Sequence, residues 1–250
     1  MKISDVKLEI NKIKTMADLT ASAFNEDERK GVQGALKSRA RLLQKEVALV
    51  EHYEVMMMHE NQHPDIIIAG IDEAGRGPLA GDVVAAAVIL PENHKIIGLD
   101  DSKKVPLAKR LALREEIMEH AAYGVGIATA EEIDTHNIYE ATRIAMQRAL
   151  DNLPGKPEHL LIDAMKLDNG VPQTSIIKGD AVSNSIAAAS IIAKTTRDLM
   201  MGAYDAEYPE YGFLNHKGYG TKAHLEALEL YGATPIHRKT FEPVKSMFIE

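Results

Sequence analysis

The 250-residue sequence contains no cysteine. That excludes disulfide scaffolds, thiolate metal sites and cysteine nucleophiles, and leaves any metal to oxygen or imidazole ligands. Long apolar runs are missing as well: those at 66–69 and 83–90 fall far short of the roughly 20 residues that span a bilayer, so no membrane-spanning helix and no membrane partner are expected. Residues 1–8 mix charges without the continuous apolar stretch of a secretory leader, so the expected compartment is the cytoplasm. A surplus of positive charge is absent too. Lys and Arg number 29 against 37 Asp and Glu, giving a net charge of −8. Ten of the basic and ten of the acidic side chains lie in 1–60, so the whole −8 falls on 61–250. Phosphate contacts need cations, so an acidic body acting on nucleic acid would need divalent metal to neutralise its site.

What is present reads as a folded chain. Hydrophobic residues make up 45% and charged residues 26%, close to globular averages, and the length suits one large domain with an appendage. No internal repeat or low-complexity tract interrupts it. Between 28 and 58 there is no proline, and Val32, Leu36, Ala40, Leu43, Val47 and Val50 recur in steps of four and three, which predicts one long helix. A shorter helix is expected before it, at 6–14 or 16–24. Lys37, Arg41 and Lys45 share one face at i, i+4 and i+8, with Arg29, Lys30 and Arg39 nearby; that face is either simply solvated or laid along a phosphate backbone. Residues 1–60 are therefore set apart as a helical N-terminal extension, with 61–250 as the main domain.

After Pro64 the period changes. Apolar runs at 66–72 and 83–90 predict two strands joined as a hairpin. A helix is expected at 106–122, a short strand at 125–129, a charged amphipathic helix at 131–150, strands at 159–164 and 174–178, and a helix from 183 to about 204. The resulting fold class is α/β, a mixed sheet flanked by helices. Such sheets place ligands beyond the ends of their strands, so carboxylates there carry the chemical interest.

Three strand ends each deliver an acid: Asp72 with Glu73, Asp163, and Asp180. Each follows apolar residues that a core strand would bury, and an unpaired buried carboxylate is costly unless a cation or hydrogen bonds compensate. Oxygen-only ligands suit Mg²⁺ or Mn²⁺ rather than zinc. Because Asp72 and Glu73 are adjacent, both reach one centre only if the strand ends or bends there, and Gly75 and Gly77 supply a bend. Gly75-Arg76-Gly77-Pro78 is either a tight turn with a structural arginine or a loop whose main chain approaches a ligand while Arg76 reaches a phosphate. Residues 183–193 are rich in small side chains, which favours close helix–sheet packing. Ten histidines offer no spaced metal pair, and Met56–Met58 reads as helix-end packing.

The run from Gly70 to Gly81, Gly-Ile-Asp-Glu-Ala-Gly-Arg-Gly-Pro-Leu-Ala-Gly, resembles the signature of the type 2 ribonucleases H, the ribonuclease HII family. Further blocks match in order: Asp101-Ser102-Lys103-Lys104, Leu161-Ile162-Asp163-Ala164, Lys178-Gly179-Asp180, Ala187 to Lys194, Arg197-Asp198, Tyr211-Gly212, His216 to Thr221 and His237-Arg238. The resemblance covers about 65–245. It implies a ribonuclease H-like sheet and an endonuclease that hydrolyses the RNA strand of RNA–DNA hybrids and cuts 5′ to ribonucleotides embedded in duplex DNA, leaving 5′-phosphate and 3′-hydroxyl ends. It further implies a metal-binding catalytic tetrad of Asp72, Glu73, Asp163 and Asp180 holding two Mg²⁺ or Mn²⁺ ions, with Asp72 bridging them. The related type 3 enzymes typically carry threonine where Arg76 stands, so Arg76 favours type 2; a hybrid-only nuclease is the alternative.

The resemblance also implies that the backbone of Gly75, Arg76 and Gly77 contacts the 2′-hydroxyl, and that Tyr219 packs on the following sugar and selects an RNA–DNA junction. Lys103, Lys104, Ser183, Lys217, Arg238 and Lys239 are then expected to contact substrate. Asp198 is expected to support the site or to pair with Arg197. Protein partners are not indicated: the end segment 245–250, with Met247 and Phe248, carries no clear clamp-binding motif.

Overall fold

The computed structural model describes residues 1–248, and the last two positions of the end segment lie outside it. The chain divides into two compact units, Met1–Val55 and Met56–Glu250.

The N-terminal unit is helical: α1 (Ile3–Lys12), α2 (Met16–Thr20) and most of α3 (Lys30–Met56). Both short helices expected as alternatives are present. Thr15 caps α2 by accepting from the Asp18 amide, satisfying one of the donors a helix start leaves unpaired. Val6, Ile10, Leu19, Val32, Leu36 and Leu43 form its core. The predicted stripe is interrupted beyond Leu43, where Val47 and Val50 are 50% and 43% exposed, so the long helix buries only its first half against its own unit's core. Lys37, Arg41 and Lys45 are all exposed. Arg39 is not part of that free face, because its guanidinium donates to the Ile13 carbonyl and pairs with Glu46.

The larger unit contains a five-stranded sheet of order β3-β2-β1-β4-β5, formed by β1 (Ile68–Ala74), β2 (Val83–Ile89), β3 (Ala122–Ala128), β4 (His159–Asp163) and β5 (Gln173–Ile176). β1, β2 and β3 form an antiparallel meander, whereas β4 and β5 join parallel to β1. Two helices cover it: α5 (Ala130–Asp151), which packs on β2 and β3, and α6 (Asn184–Glu207), which packs on β1 and β2. α4 (Leu107–His120) lies against α6, and α7 (Phe213–His216) and α8 (Lys222–Tyr231) follow. Among the described residues no helix is long and apolar enough to cross a membrane.

The strand residues explain the layers. Ala69, Ile71, Leu160 and Ile162 are completely buried with Ala85, Ala87, Ala141, Ala145 and Met146, and burying each larger aliphatic side chain stabilises by about 1.5–3 kcal/mol. On the other face the small residues of α6 allow a close approach: a Cβ on Gly70 would sit 2.1 Å from the Ser185 backbone, so only glycine fits where helix meets strand. The helix predicted at 131–150 contains a break. Asn137 adopts φ 66° and ψ 163°, and its side chain accepts from the Tyr139 and Glu140 amides, ending one helical segment and capping the next. An aromatic-rich core lies beyond the sheet, joining Leu79, Ala80, Met201, Tyr211, Phe213, Leu228 and Ile236.

Candidate active site

β1, β4 and β5 run parallel, so their C-terminal ends lie on one side of the sheet. Ile71 pairs with Ile162 and Asp163 with Ile176, which brings Asp72 beside Asp163 and points the chain leaving β5 toward Asp180. Asp72, Glu73, Asp163 and Asp180 thus line one cleft of about 700 Å³, together with Gly75, Arg76, Gly77, Lys103, Lys194 and Tyr219.

The acids are restrained individually. Asp163 Oδ1 accepts from the Gly179 amide at 2.7 Å, tying β4 to the loop that presents Asp180. The neighbouring backbone is unusual: Ala164 and Lys178 hold φ of 47° and 57°, conformations that cost non-glycine residues energy and cluster at functional sites. Asp72 Oδ1 accepts from the Glu73 amide at 2.8 Å. β1 runs on through Ala74 before Gly75, at φ +100°, turns the chain. A Cβ on Gly75 would lie 2.1 Å from Arg197 Nε, so a side chain there is excluded both by conformation and by space.

The electrostatics are those of a crowded anionic site. Burial, reinforced by the charges of Glu73 and Asp163, pushes the Asp72 carboxyl well above the usual carboxylate range. Burial also raises Glu73, against the opposing pull of Arg76, whose Nη1 lies 3.5 Å from Glu73 Oε1. Asp180 is raised to about 6 by burial and by Asp101 and Asp163. Arg76 and Lys103 oppose these shifts without cancelling them. Glu73 Oε2 is buried and accepts no hydrogen bond, and an orphaned anionic oxygen among other carboxylates fits a hard divalent cation, since every donor is oxygen. Among the described residues, no group of three or more acids or histidines is drawn together as tightly as a metal cage.

Serines line the site in a way the motif reading did not assign. Ser190, from α6, donates to Ser102 at 2.8 Å, and both line the cleft; the only sequence signal is a hydroxyl in the otherwise apolar 186–193 segment. Asp101 is another acid beside Asp180.

Of the cations expected at substrate, Lys103 lines the cleft, whereas Lys104 turns toward Asp100 and Asp101. The Lys217 ammonium lies 3.5 Å from the Asp198 carbonyl, and Lys239 sits where its amide donates to Asp134. Two expectations fail on burial. Arg238 is 0% exposed, and its guanidinium donates to the carbonyls of Gly75, Arg76 and Gly81, so it shapes the glycine loop instead of meeting a phosphate. Ser183 is also fully buried: it caps α6 by accepting from the Ile186 amide and donates to Glu60. Asp198 pairs with Lys194 at 2.6 Å. It does not pair with Arg197, which donates to the carbonyls of Ala80, Asp82 and Lys217.

Comparison with known proteins gives the family. The family model described as Ribonuclease HII matches residues 69–244, and the Ribonuclease HII N-terminal domain matches residues 2–63. The chain belongs to the ribonuclease HII family. It is 56% identical over 252 residues to the Ribonuclease HII of Staphylococcus aureus strain MSSA476, covering 99% of both chains. Among solved structures it is similar to ribonuclease H2 from Pyrococcus horikoshii OT3, with a TM-score of 0.62 and 29% identity over 72% of this chain and 96% of that one. Bst-RNase HIII in complex with Mn²⁺ shares the fold, with a TM-score of 0.57 and 18% identity over 76% of this chain and 71% of that one. As a member of the ribonuclease HII family the chain is a ribonuclease H, a hydrolytic endonuclease.

Proposed function

We propose that this ribonuclease HII cuts the RNA strand of RNA–DNA hybrids and cuts 5′ to single ribonucleotides embedded in duplex DNA, leaving 5′-phosphate and 3′-hydroxyl ends. The observation that carries the reading is the convergence of Asp72, Glu73, Asp163 and Asp180 beside the Gly75–Arg76–Gly77 loop and Tyr219 in one cleft. Asp72, Glu73, Asp163 and Asp180 would hold two Mg²⁺ or Mn²⁺ ions, as hard oxygen ligands suit. When bound, such a pair activates the attacking water and stabilises the leaving oxygen.

The chain's own groups do the rest. The backbone of Gly75, Arg76 and Gly77 meets the 2′-hydroxyl, the atom that separates RNA from DNA. Tyr219 is half exposed at 47%, and a Cβ on Gly77 would lie 3.6 Å from its ring, so a sugar following the ribonucleotide can pack on that ring while the ribonucleotide lies on the loop. Lys103 and Lys194 supply positive charge for phosphates at the cleft. The helical unit Met1–Val55 aids substrate binding through the Lys37, Arg41 and Lys45 face, and the enzyme works in the cytoplasm. Incubating the protein with duplex DNA bearing one ribonucleotide, with and without Mg²⁺, tests the reading. One metal-dependent cut on the 5′ side supports it; cutting of RNA–DNA hybrid alone would assign a hybrid-only activity.

A further inference from the structure

His224 and His237 are 0% and 1% exposed, in the aromatic core of Tyr211 and Phe213, where no substrate reaches them. Their ring nitrogens form a chain whose direction can be worked out. The Thr234 amide donates to His237 Nδ1 at 2.9 Å. An amide N–H only donates, so this nitrogen is bare and the proton of the neutral ring sits on Nε2. His237 Nε2 lies 2.9 Å from His224 Nε2, which must therefore accept. The His224 proton then lies on Nδ1, and that group donates to the Tyr219 carbonyl at 2.9 Å. Burial holds both rings below the usual histidine range, His237 at about 4, so the neutral chain is the state at neutral pH.

The same loop is held on its other side. The Tyr219 amide donates to the His216 carbonyl at 3.0 Å, and the Gly218 amide to His216 Nδ1 at 3.2 Å. His216 stacks on His224 with ring centroids 4.6 Å apart and 12° between planes. The Tyr219 carbonyl also takes the Thr221 amide at 2.8 Å. Fixing the peptide of a residue fixes its Cα–Cβ direction and so limits where its half-exposed ring can stand.

We propose that His224 and His237 are positioning residues for substrate discrimination: a directional two-histidine hydrogen-bond chain anchors the Tyr219 peptide and so holds its ring over the cleft next to Gly77. The proposal rests on the reading of Tyr219 as the group that packs on the sugar after the ribonucleotide. His224→Leu removes the donor to the Tyr219 carbonyl, whereas His224→Asn keeps an N–H near the Nδ1 position.

The experiment measures kcat/KM for a single embedded ribonucleotide and for a long RNA stretch on the same preparation, because the ratio of the two cancels any loss of folded protein. In His224→Leu the ratio falls by about tenfold, as expected of a misplaced group, while His224→Asn keeps most of it and His224→Leu adds nothing in a Tyr219→Ala background. A ratio that falls in Tyr219→Ala but not in His224→Leu overturns the positioning role alone. A ratio unchanged in Tyr219→Ala overturns the Tyr219 reading itself. If the leucine variant does not fold, long-range ¹H–¹⁵N spectra of the intact wild-type protein still decide the chain: His237 protonated at Nε2 and His224 at Nδ1 are required, and the opposite tautomers or a charged ring overturn it.

Discussion

The guanidinium of Arg238 donates to the carbonyl of Gly75 at 2.5 Å, across 163 positions of sequence. It also holds Arg76 at 2.8 Å and Gly81 at 2.7 Å, so one buried fork ties together both ends of the loop proposed to meet the 2′-hydroxyl. Lysine keeps the charge but cannot reproduce a planar fork with several directed donors. Each buried carbonyl left without a donor costs about 1–3 kcal/mol. Arg238→Lys is therefore expected to lower stability by about 2–4 kcal/mol. It should also reduce kcat/KM by roughly tenfold or more, since small misplacements at a reacting centre are expensive. Thermal melting and single-ribonucleotide cleavage check this; full activity in a destabilised variant would confine Arg238 to supporting the fold.

Asp72→Asn and Asp163→Asn should each nearly abolish cleavage while leaving the metal-free protein as stable as wild type or more so. An amide holds a divalent ion poorly, and it removes charge from a site where burial first, and then the repulsion of neighbouring carboxylates, raises Asp72. Asp180→Asn should lose a similarly large share of activity, and Asp198→Asn less, because Asp198 is paired with Lys194. Cleavage rates read beside melting curves separate the two effects. Wild-type turnover in Asp163→Asn would remove that residue from the site.

Asp180 also gives the metal-free protein a definite pH dependence. Its carboxyl is raised from 3.8 to about 6 in the folded state, so between those values the folded chain keeps a proton that the unfolded chain has lost. The stability this contributes is fully present below the unfolded value and is lost as pH rises through about 6; Asp72 and Glu73 shift in the same direction. A metal needs these groups deprotonated, so Mg²⁺ affinity should tighten over the same window. Melting temperatures with and without Mg²⁺ across that range test it: added stability from Mg²⁺ should grow with pH, and an Asp180→Asn protein should show a smaller change.

The strands and their acids were legible because local signals agree. Apolar runs leading to Asp72, Asp163 and Asp180 show the strands, and parallel pairing of β1, β4 and β5 brings these acids together, although only Asp163 ends its strand: β1 runs on to Ala74 and β5 stops at Ile176, four residues before Asp180. Arg238 and Ser183 were misread for the opposite reason: a basic or hydroxyl residue in a nucleic-acid motif looks exposed until the carbonyls of Gly75 and Gly81, or the carboxylate of Glu60, arrive from distant sequence. Asn137 hid a break because helical periodicity persists on both sides of it, although Asn137 with Glu140 three residues later is the pattern of a helix start. Val47 and Val50 kept the helical spacing without a core of their own unit to meet, since periodicity reports a face and not what covers it.

The N-terminal unit allows a test that leaves its core alone. Val32, Leu36 and Leu43 face Val6, Ile10 and Leu19, while Lys37, Arg41 and Lys45 lie exposed on α3, so charge reversal there should not unfold the unit. If this face tracks phosphates, each contact releases counterion, and log affinity falls with log salt by about 0.9 per contact. The double variant Lys37→Glu/Arg41→Glu should then bind ribonucleotide-containing duplex more weakly and flatten the salt slope by about 1.8. Single-turnover cleavage of substrate already bound should change little, because the carboxylates and the glycine loop belong to the other unit. Binding measured across a salt series decides between the two readings of this face: an unchanged slope in the double variant would make it a solvated surface, and substrate affinity would then rest on the catalytic unit alone.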